Sequence, residues 1–373
     1  MSGVSGTSDT AGRSGAAGAG RTSGGSGTSI MDGTGGALGT GGRTSTPAAG
    51  GAAPATAPGR RLLRGLPWLV WRRNRTALGI GLLVTLGACA LFAYERIGVM
   101  DFLHTKGSSP GSTGDLLMEF QNEFSSMFSS DTGFLTFVPA LVAIFLGAPL
   151  IASEQERGTV KLVATQSTGR SRWIATTLAL PLAIAVLCTT LLSAAFTWMW
   201  SPAHELAMFG DWLQGGAFDS TGPVPVAMTL FLTSCGIAFG MLIKRVVAAM
   251  VATAVFAAAT SLIWTEKVRV HLGTLRSYTY PFDGEGSVLP RGSVPVDDWL
   301  ASADGKLFGI NTCNAPEATA DACRAKLGIV NRVIQYFDYG QMAGMQWLGA
   351  GILLALTVLV LGFVIWQARR RPL

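Results

Sequence analysis

Six apolar runs dominate the pattern along this chain, each close to the roughly 20 residues that cross the hydrocarbon core of a bilayer. They are residues 76–94, 134–152, 174–200, 224–243, 246–264 and 346–367. The pattern predicts an all-α polytopic membrane protein with six transmembrane helices. Only Lys244 and Arg245 separate the fourth and fifth runs, so these two helices should form a tight hairpin.

The polar segments divide the chain further. Residues 1–59 are rich in Gly, Ser, Thr and Ala, with almost no large apolar side chain, and we expect them to be disordered. In residues 60–75, leucine and tryptophan alternate with arginine, which predicts an amphipathic segment on the membrane surface; a nucleic-acid patch is the alternative. Residues 76–264 then hold helices one to five, and residues 346–373 hold helix six and a basic tail.

The long polar segment 265–345 predicts a small folded cap between the fifth and sixth helices. Cys313 and Cys323 lie close together within it, which favours a disulfide; two unrelated free thiols are the alternative. Its aromatic residues form either the core of the cap or a substrate site, and we favour the core. They include Tyr278, Tyr280, Phe282 and Trp299.

Charge sets the expected orientation. Charged residues make up only 13% of the chain and hydrophobic residues 49%, whereas a soluble domain carries about 25% charge. The net charge is +6, and the lysines and arginines concentrate in alternate polar segments, including residues 153–173, 244–245 and the C-terminal tail. By the positive-inside rule, both termini are cytoplasmic and the cap is outside, where a disulfide persists. We expect a plasma-membrane protein that binds lipid and not nucleic acid.

Several kinds of chemistry have no candidate residues. The sequence lacks the Gly-x-x-x-x-Gly-Lys-Ser/Thr string of a P-loop, and its three histidines, His104, His204 and His271, show no metal-ligand spacing. No carboxylate lies within the six runs away from their ends, as an ion-coupled carrier would require. We therefore predict no catalytic residue, no metal and no cofactor in this chain, and an energy source outside it.

Hydroxyl residues recur on the third and fourth runs. They could line a translocation path, although packing between helices is the favoured interpretation because small hydroxylated residues permit close approach. The candidates for the path are Thr189, Ser193, Thr197, Thr233 and Ser234.

The polar loop 153–173 lies between two spans and is the strongest candidate for a partner site. Gly158 indicates a turn, after which Thr159 can cap a short helix that Gly169 ends. A short helix lying along the membrane could transmit the motion of a docked soluble protein to two spans. An ordinary positively charged inner loop is the alternative.

The chain resembles the ABC-2 type transporter permeases of actinobacteria from about residue 60 to its end. Three stretches carry the resemblance: Glu154-x-Glu156-Arg157-Gly158-Thr159 with Arg170-x-Arg172-Trp173, Phe218-Asp219-x-x-Gly222-Pro223-Val224-Pro225, and Gly236-x-x-x-Gly240 followed by Lys244-Arg245. The turn before the last span departs from the family pattern.

The resemblance implies the membrane subunit of an ABC exporter. A second permease protomer would pair with it, as a homodimer or heterodimer, and a separate cytoplasmic ATPase would bind ATP and Mg²⁺. The ATPase would dock on loop 153–173, through Glu154, Glu156, Arg157, Gly158, Thr159, Gln166, Arg170 and Arg172. A non-transporting membrane sensor or scaffold, whose cap recognises a ligand, is the alternative.

Overall fold

A computed structural model describes most of the chain after the N-terminal tail. The described residues are 66–107, 113–156, 170–214, 216–282, 289–314 and 316–370. The predicted disordered tail, residues 1–59, lies outside them. So do four predicted docking residues, which are Arg157, Gly158, Thr159 and Gln166.

Within the described residues, six helices have the length and apolar composition to cross a membrane. The helical elements are α1 (Leu66–Lys106), α2 (Thr113–Val142), α3 (Ala148–Glu156), α4 (Arg170–Trp200), α5 (Ala217–Ser220), α6 (Val224–Ile243), α7 (Val246–Ile263), α8 (Glu317–Leu327) and α9 (Met342–Arg370). A π-helical turn, Ala143–Gly147, joins α2 to α3, so that the two form one span. Each of the six predicted spans coincides over most of its length with one of these membrane-spanning helices, and the prediction of six membrane helices is confirmed.

The first two spans are longer than the apolar runs. Helix α1 has 41 residues, about 60 Å at 1.5 Å per residue, which is about twice the thickness of a bilayer core. It contains residues 66–75 of the predicted surface segment. Helix α2 begins at Thr113, well before the apolar run that starts at residue 134. In this added part, exposed acidic residues alternate with buried phenylalanines, among them Phe120 and Phe128. An amphipathic pattern therefore continues the helix beyond the apolar run.

The prediction of an all-α fold was wrong, because the segment after α7 contains an antiparallel sheet. Its strands are β1 (Arg276–Pro281), β2 (Val294–Ser302), β3 (Leu307–Gly309) and β4 (Ile329–Phe337), in the order β1-β4-β2-β3. Strand β4 carries Ile, Val, Tyr and Phe at close intervals, a composition that favours a half-buried pleated surface over a helix.

A small apolar cluster holds this sheet to α8. Leu300, Cys313 and Ile329 are buried in it, and Phe282 packs against it. The structure joins Cys313 and Cys323 in a disulfide. Tyr278 and Tyr280, by contrast, stack on each other at 6.1 Å on strand β1, where Tyr278 is 37% exposed. The aromatic residues of the cap are thus divided between its core and its surface.

Helix α6 is the central helix of the bundle. In its most apolar stretch, 67% of the residues are buried, whereas the corresponding share is 17% for α1 and 17% for α7. Glycines bring its backbone against the preceding span. A Cβ on Gly236 would lie 2.8 Å from the carbonyl oxygen of Ala143. A Cβ on Gly240 would overlap the carbonyl oxygen of Ala148. From the other side, a Cβ on Gly147 would lie 2.7 Å from the carbonyl oxygen of Thr233. Small residues are what such close approach requires.

The π-helical turn has an identifiable cause in the sequence. Proline lacks an N–H, and its ring clashes with the carbonyl of the residue four positions earlier. Pro149 is the second residue after the turn, and the residue four positions before it, Phe145, lies in the middle of the turn. Widening the helix here accommodates the ring and also places Gly147 against α6.

A buried ion pair fastens the segment before α6 to the end of α7. The Arg269 guanidinium donates to Asp219 Oδ2 at 2.7 Å, and Trp264 Nε1 donates to Asp219 Oδ1 at 2.6 Å. Arg269 is 3% exposed. Burial raises the pKa of Asp219, and the guanidinium opposes that shift because it favours the charged carboxylate.

Helix α9 holds the same segment from a third side. Gln346 Nε2 donates to the carbonyl oxygens of Phe218 and Thr221, at 3.0 and 3.1 Å. Gly222 has a φ of +66°, and a Cβ there would lie 2.6 Å from Gln346 Oε1. The run from Phe218 to Pro225 is therefore held in place by polar contacts from two other helical segments. We call the four residues that make these contacts the polar lock: Asp219, Trp264, Arg269 and Gln346.

We expect Gly240→Ala to lower the free energy of unfolding by about 1–3 kcal/mol, since its Cβ would overlap the Ala148 carbonyl oxygen. The matched control is Gly351→Ala in α9, where a Cβ meets no atom within 4 Å. That change should leave stability within about 1 kcal/mol of wild type. Thermal unfolding in detergent measures both, and equal effects would contradict the close contact.

We expect Asp219→Ala to cost about 3–5 kcal/mol, because it leaves Arg269 charged, buried and without its partner. Glu119→Ala is the control, since Glu119 is half exposed in its ion pair with Lys106. Its loss should cost about 1 kcal/mol or less. The double change Asp219→Asn with Arg269→Gln should recover part of the loss in a thermal unfolding assay; no recovery would argue against the pair.

Candidate functional site

The last turn of α3 contacts the turn between α6 and α7, at the end of the bundle opposite the sheet. Gln155 Nε2 donates to the carbonyl oxygen of Met241 at 3.4 Å, and Glu156 Oε2 accepts from the backbone N–H of Val246 at 3.3 Å. Glu154 is 7% exposed. We call residues 154–156 and 244–246 the coupling junction.

Glu156 acts as a cap for α7. Val246 is the first residue of that helix, and the residue before it, Arg245, offers no side-chain cap. The first N–H groups of a helix lack intrahelical acceptors and carry partial positive charge, so a carboxylate from another helix stabilises them. Lys244, with a φ of 60°, ends α6 in the left-handed conformation and turns the chain toward that carboxylate.

Apolar packing brings four spans together at this end. One buried cluster contains Leu150 and Ile151 of α3, Leu178 of α4, Ile237 and Met241 of α6, and Val364 and Ala368 of α9. The helices on both sides of loop 153–173 therefore share a core with α6. Basic side chains are exposed around it, namely Lys244, Arg245, Arg369 and Arg370.

The predicted docking residues are only partly described. Glu154 and Glu156 lie at the end of α3, within the coupling junction. Arg170 and Arg172 lie in the first turn of α4. Glu154 is buried, and Glu156 accepts a hydrogen bond from the first residue of α7. The remaining four predicted residues are outside the described ranges.

The candidate path residues do not share one surface. Thr233 and Ser234 are 1% and 0% exposed on α6. Thr189 is also buried, and its hydroxyl donates to the carbonyl oxygen of Ala185 in the same helix at 2.8 Å. Their burial within one protomer favours a packing role. Ser193 and Thr197 instead line an open pocket beside Arg96.

The structure brings together two carboxyl groups that the sequence pattern does not single out. Glu95 of α1 and Asp131 of α2 lie beside each other, and Asp131 is 6% exposed. Both residues lie just beyond the predicted spans 76–94 and 134–152, Glu95 at the outer end of the first span and Asp131 in the acidic segment before the second. Only the helical extension of both spans brings them together.

The family comparison covers the part of the chain that contains these features. The model of the ABC-2 membrane transporter related family matches residues 82–269, half of the chain, from within α1 to the end of the segment that follows α7. No match was found among curated proteins or among solved structures. The matched region includes the coupling junction and three residues of the polar lock, Asp219, Trp264 and Arg269. This multi-pass membrane protein of the ABC-2 permease type therefore belongs to the ABC-2 membrane transporter related family.

Proposed function

We propose that this chain is the permease subunit of an ABC exporter, driven by a separate cytoplasmic ATPase that docks on residues 153–173. One observation carries the proposal: the helix that enters this loop is fastened to the centre of the bundle. Helix α3 contacts α6 backbone to backbone at Gly240 and caps α7 through Glu156.

That contact suits the transmission of force. Glycines leave no layer of side chains between α3 and α6, and packed protein interiors are not compressible enough to absorb a displacement. A shift of the loop would therefore move α3 against α6, and Glu156 would move the start of α7 with it. The hairpin of α6 and α7 would respond as one unit.

The proposed partners rest on two observations, the lack of a P-loop in this sequence and its membership of a transporter family. The sequence holds no P-loop, so ATP and Mg²⁺ would be bound by the partner ATPase. A second permease protomer, identical or different, would complete the translocation unit. The chain itself would be non-catalytic. Membership of a transporter family favours this function over a membrane sensor or scaffold.

The charge distribution supports an orientation with both termini in the cytoplasm. Lys244, Arg245, Arg369 and Arg370 are exposed at the end that carries the coupling junction, as the positive-inside rule expects of a cytoplasmic face of the plasma membrane. The sheet and the disulfide at the opposite end would then be outside.

We expect Arg157→Glu to abolish the ATPase activity that co-purifies with the tagged full-length protein from native membranes. Charge reversal replaces attraction with repulsion at the proposed docking surface. Lys267→Glu is the matched control, since Lys267 is exposed near the opposite end of the bundle. Vanadate-sensitive phosphate release measures the activity.

Two outcomes would contradict this scheme in different ways. If no ATPase co-purifies with the wild-type chain, the partner is wrong. If the ATPase co-purifies equally with wild type and Arg157→Glu, the proposed partner is supported, but its docking on residues 153–173 is contradicted. Size-exclusion profiles confirm that each variant remains folded.

For the orientation, we expect an impermeant maleimide to label intact cells only after an impermeant reductant has opened the Cys313–Cys323 disulfide. The starting variant replaces Cys89, Cys188 and Cys235 with alanine, so that no other thiol contributes. Removing Cys313 and Cys323 as well should abolish the signal. Labelling that requires permeabilised cells would reverse the topology.

A further inference from the structure

A cavity of about 550 Å³ opens on the side of the bundle, near the end that carries the sheet. Its walls come from α1, from the last three turns of α4 and from the turn before α6, at Arg96, Trp198 and Gly222. This volume lies within the range of about 300–1,000 Å³ typical of small-molecule sites. None of its nine lining residues is acidic, and one is an arginine.

Arg96 is the charged group of this pocket. Its guanidinium donates to the carbonyl oxygen of Trp198 and lies 4.2 Å from the centre of the Trp198 ring. Among the described residues it has no carboxylate partner. A guanidinium has five N–H donors, so most of its capacity is unused. A cation on a membrane helix is costly unless it is paired, which favours an anion in the pocket.

Hydroxyl groups around Arg96 can bind the rest of a polar ligand. Ser193 and Thr197 already donate, to the carbonyl oxygens of Gly222 at 2.9 Å and of Ser193 at 2.6 Å, so their oxygens remain as acceptors. Thr190 and Ser201 are exposed and can donate. The pocket therefore combines a cation, two hydroxyl donors and two acceptor oxygens, a set that suits an anion carrying hydroxyl or ester groups.

An apolar track leads from the pocket toward the middle of α4. Leu187, Leu191, Ala194 and Trp198 follow one another at helical spacing and are all exposed. The track lies on a helix that crosses the membrane, so its surroundings are acyl chains and not water. A ligand with a charged head at Arg96 and a tail along this face matches both parts.

We propose that this pocket binds an anionic phospholipid, with the phosphate at Arg96 and an acyl chain along Leu187 and Leu191. Arginine is suited to this ligand because its planar fork pairs with two phosphate oxygens. The site requires only that α4 cross a membrane, and it is independent of the ATPase and of what is exported.

The test titrates the purified full-length protein, in neutral maltoside detergent, with dioctanoyl phosphatidylglycerol and follows binding by native mass spectrometry. Arg96→Gln should weaken binding about tenfold or more, the effect of losing hydrogen bonds to a charged group. Lys106→Gln is the matched control: it removes the same charge from the same helix but lies in an exposed ion pair with Glu119. It should bind like wild type.

A second variant keeps Arg96 and fills the pocket. Ala194→Trp should also weaken binding about tenfold, whereas Ala258→Trp, at an exposed position of α7, should not. Equal binding by wild type and both pocket variants would overturn the site. An equal loss in Lys106→Gln would reduce the effect to overall charge and also overturn it.

Two further ligands separate a lipid from a soluble anion. Inorganic phosphate at the concentration of the lipid should not displace it, because phosphate cannot use the apolar track. Uncharged dioctanoylglycerol should bind at least about tenfold more weakly than the phospholipid. Displacement by phosphate would assign a soluble anion to Arg96, and equal binding of dioctanoylglycerol would remove Arg96 from recognition; either result contradicts the lipid assignment.

Discussion

The backbone contact between α6 and the preceding span is the constraint on which the rest of this structure depends. Within a bilayer, apolar side chains gain little by leaving lipid for one another, so close packing and polar contacts must hold helices together. Gly147, Gly236 and Gly240 remove side chains at successive points along one interface. The π-helical turn before Pro149 makes the two surfaces fit, and the other spans pack around the central helix that results.

The two ends of α6 are held by different means. At the sheet end, a buried carboxylate, a guanidinium, an indole N–H and the Gln346 amide converge on the segment before the helix. At the other end, an apolar cluster packs around Ile237 and Met241, and Gln155 and Glu156 each make one hydrogen bond beside an exposed turn. The sheet end of α6 is therefore held by buried polar contacts, and the basic end by apolar packing and partly exposed hydrogen bonds.

Much of the membrane architecture could be predicted because hydropathy is a property of each segment by itself. The six spans and the tight hairpin at Lys244 and Arg245 were correct. The run from Phe218 to Pro225 was singled out by its resemblance to a family, but its role in holding α9 and α7 was not foreseen. The sheet was missed because length and polarity describe a long loop without describing the alternation of residues within it.

By itself, the sequence determined the number of spans, their approximate positions and the family, since the thickness of the bilayer core and its lack of water act on every segment separately. Only the tertiary structure decided which polar groups contact one another. Asp219 and Arg269 are fifty residues apart, and Glu95 and Asp131 come from different spans. A buried polar group is stabilised by whatever partner lies beside it in space, and no local pattern records that partner.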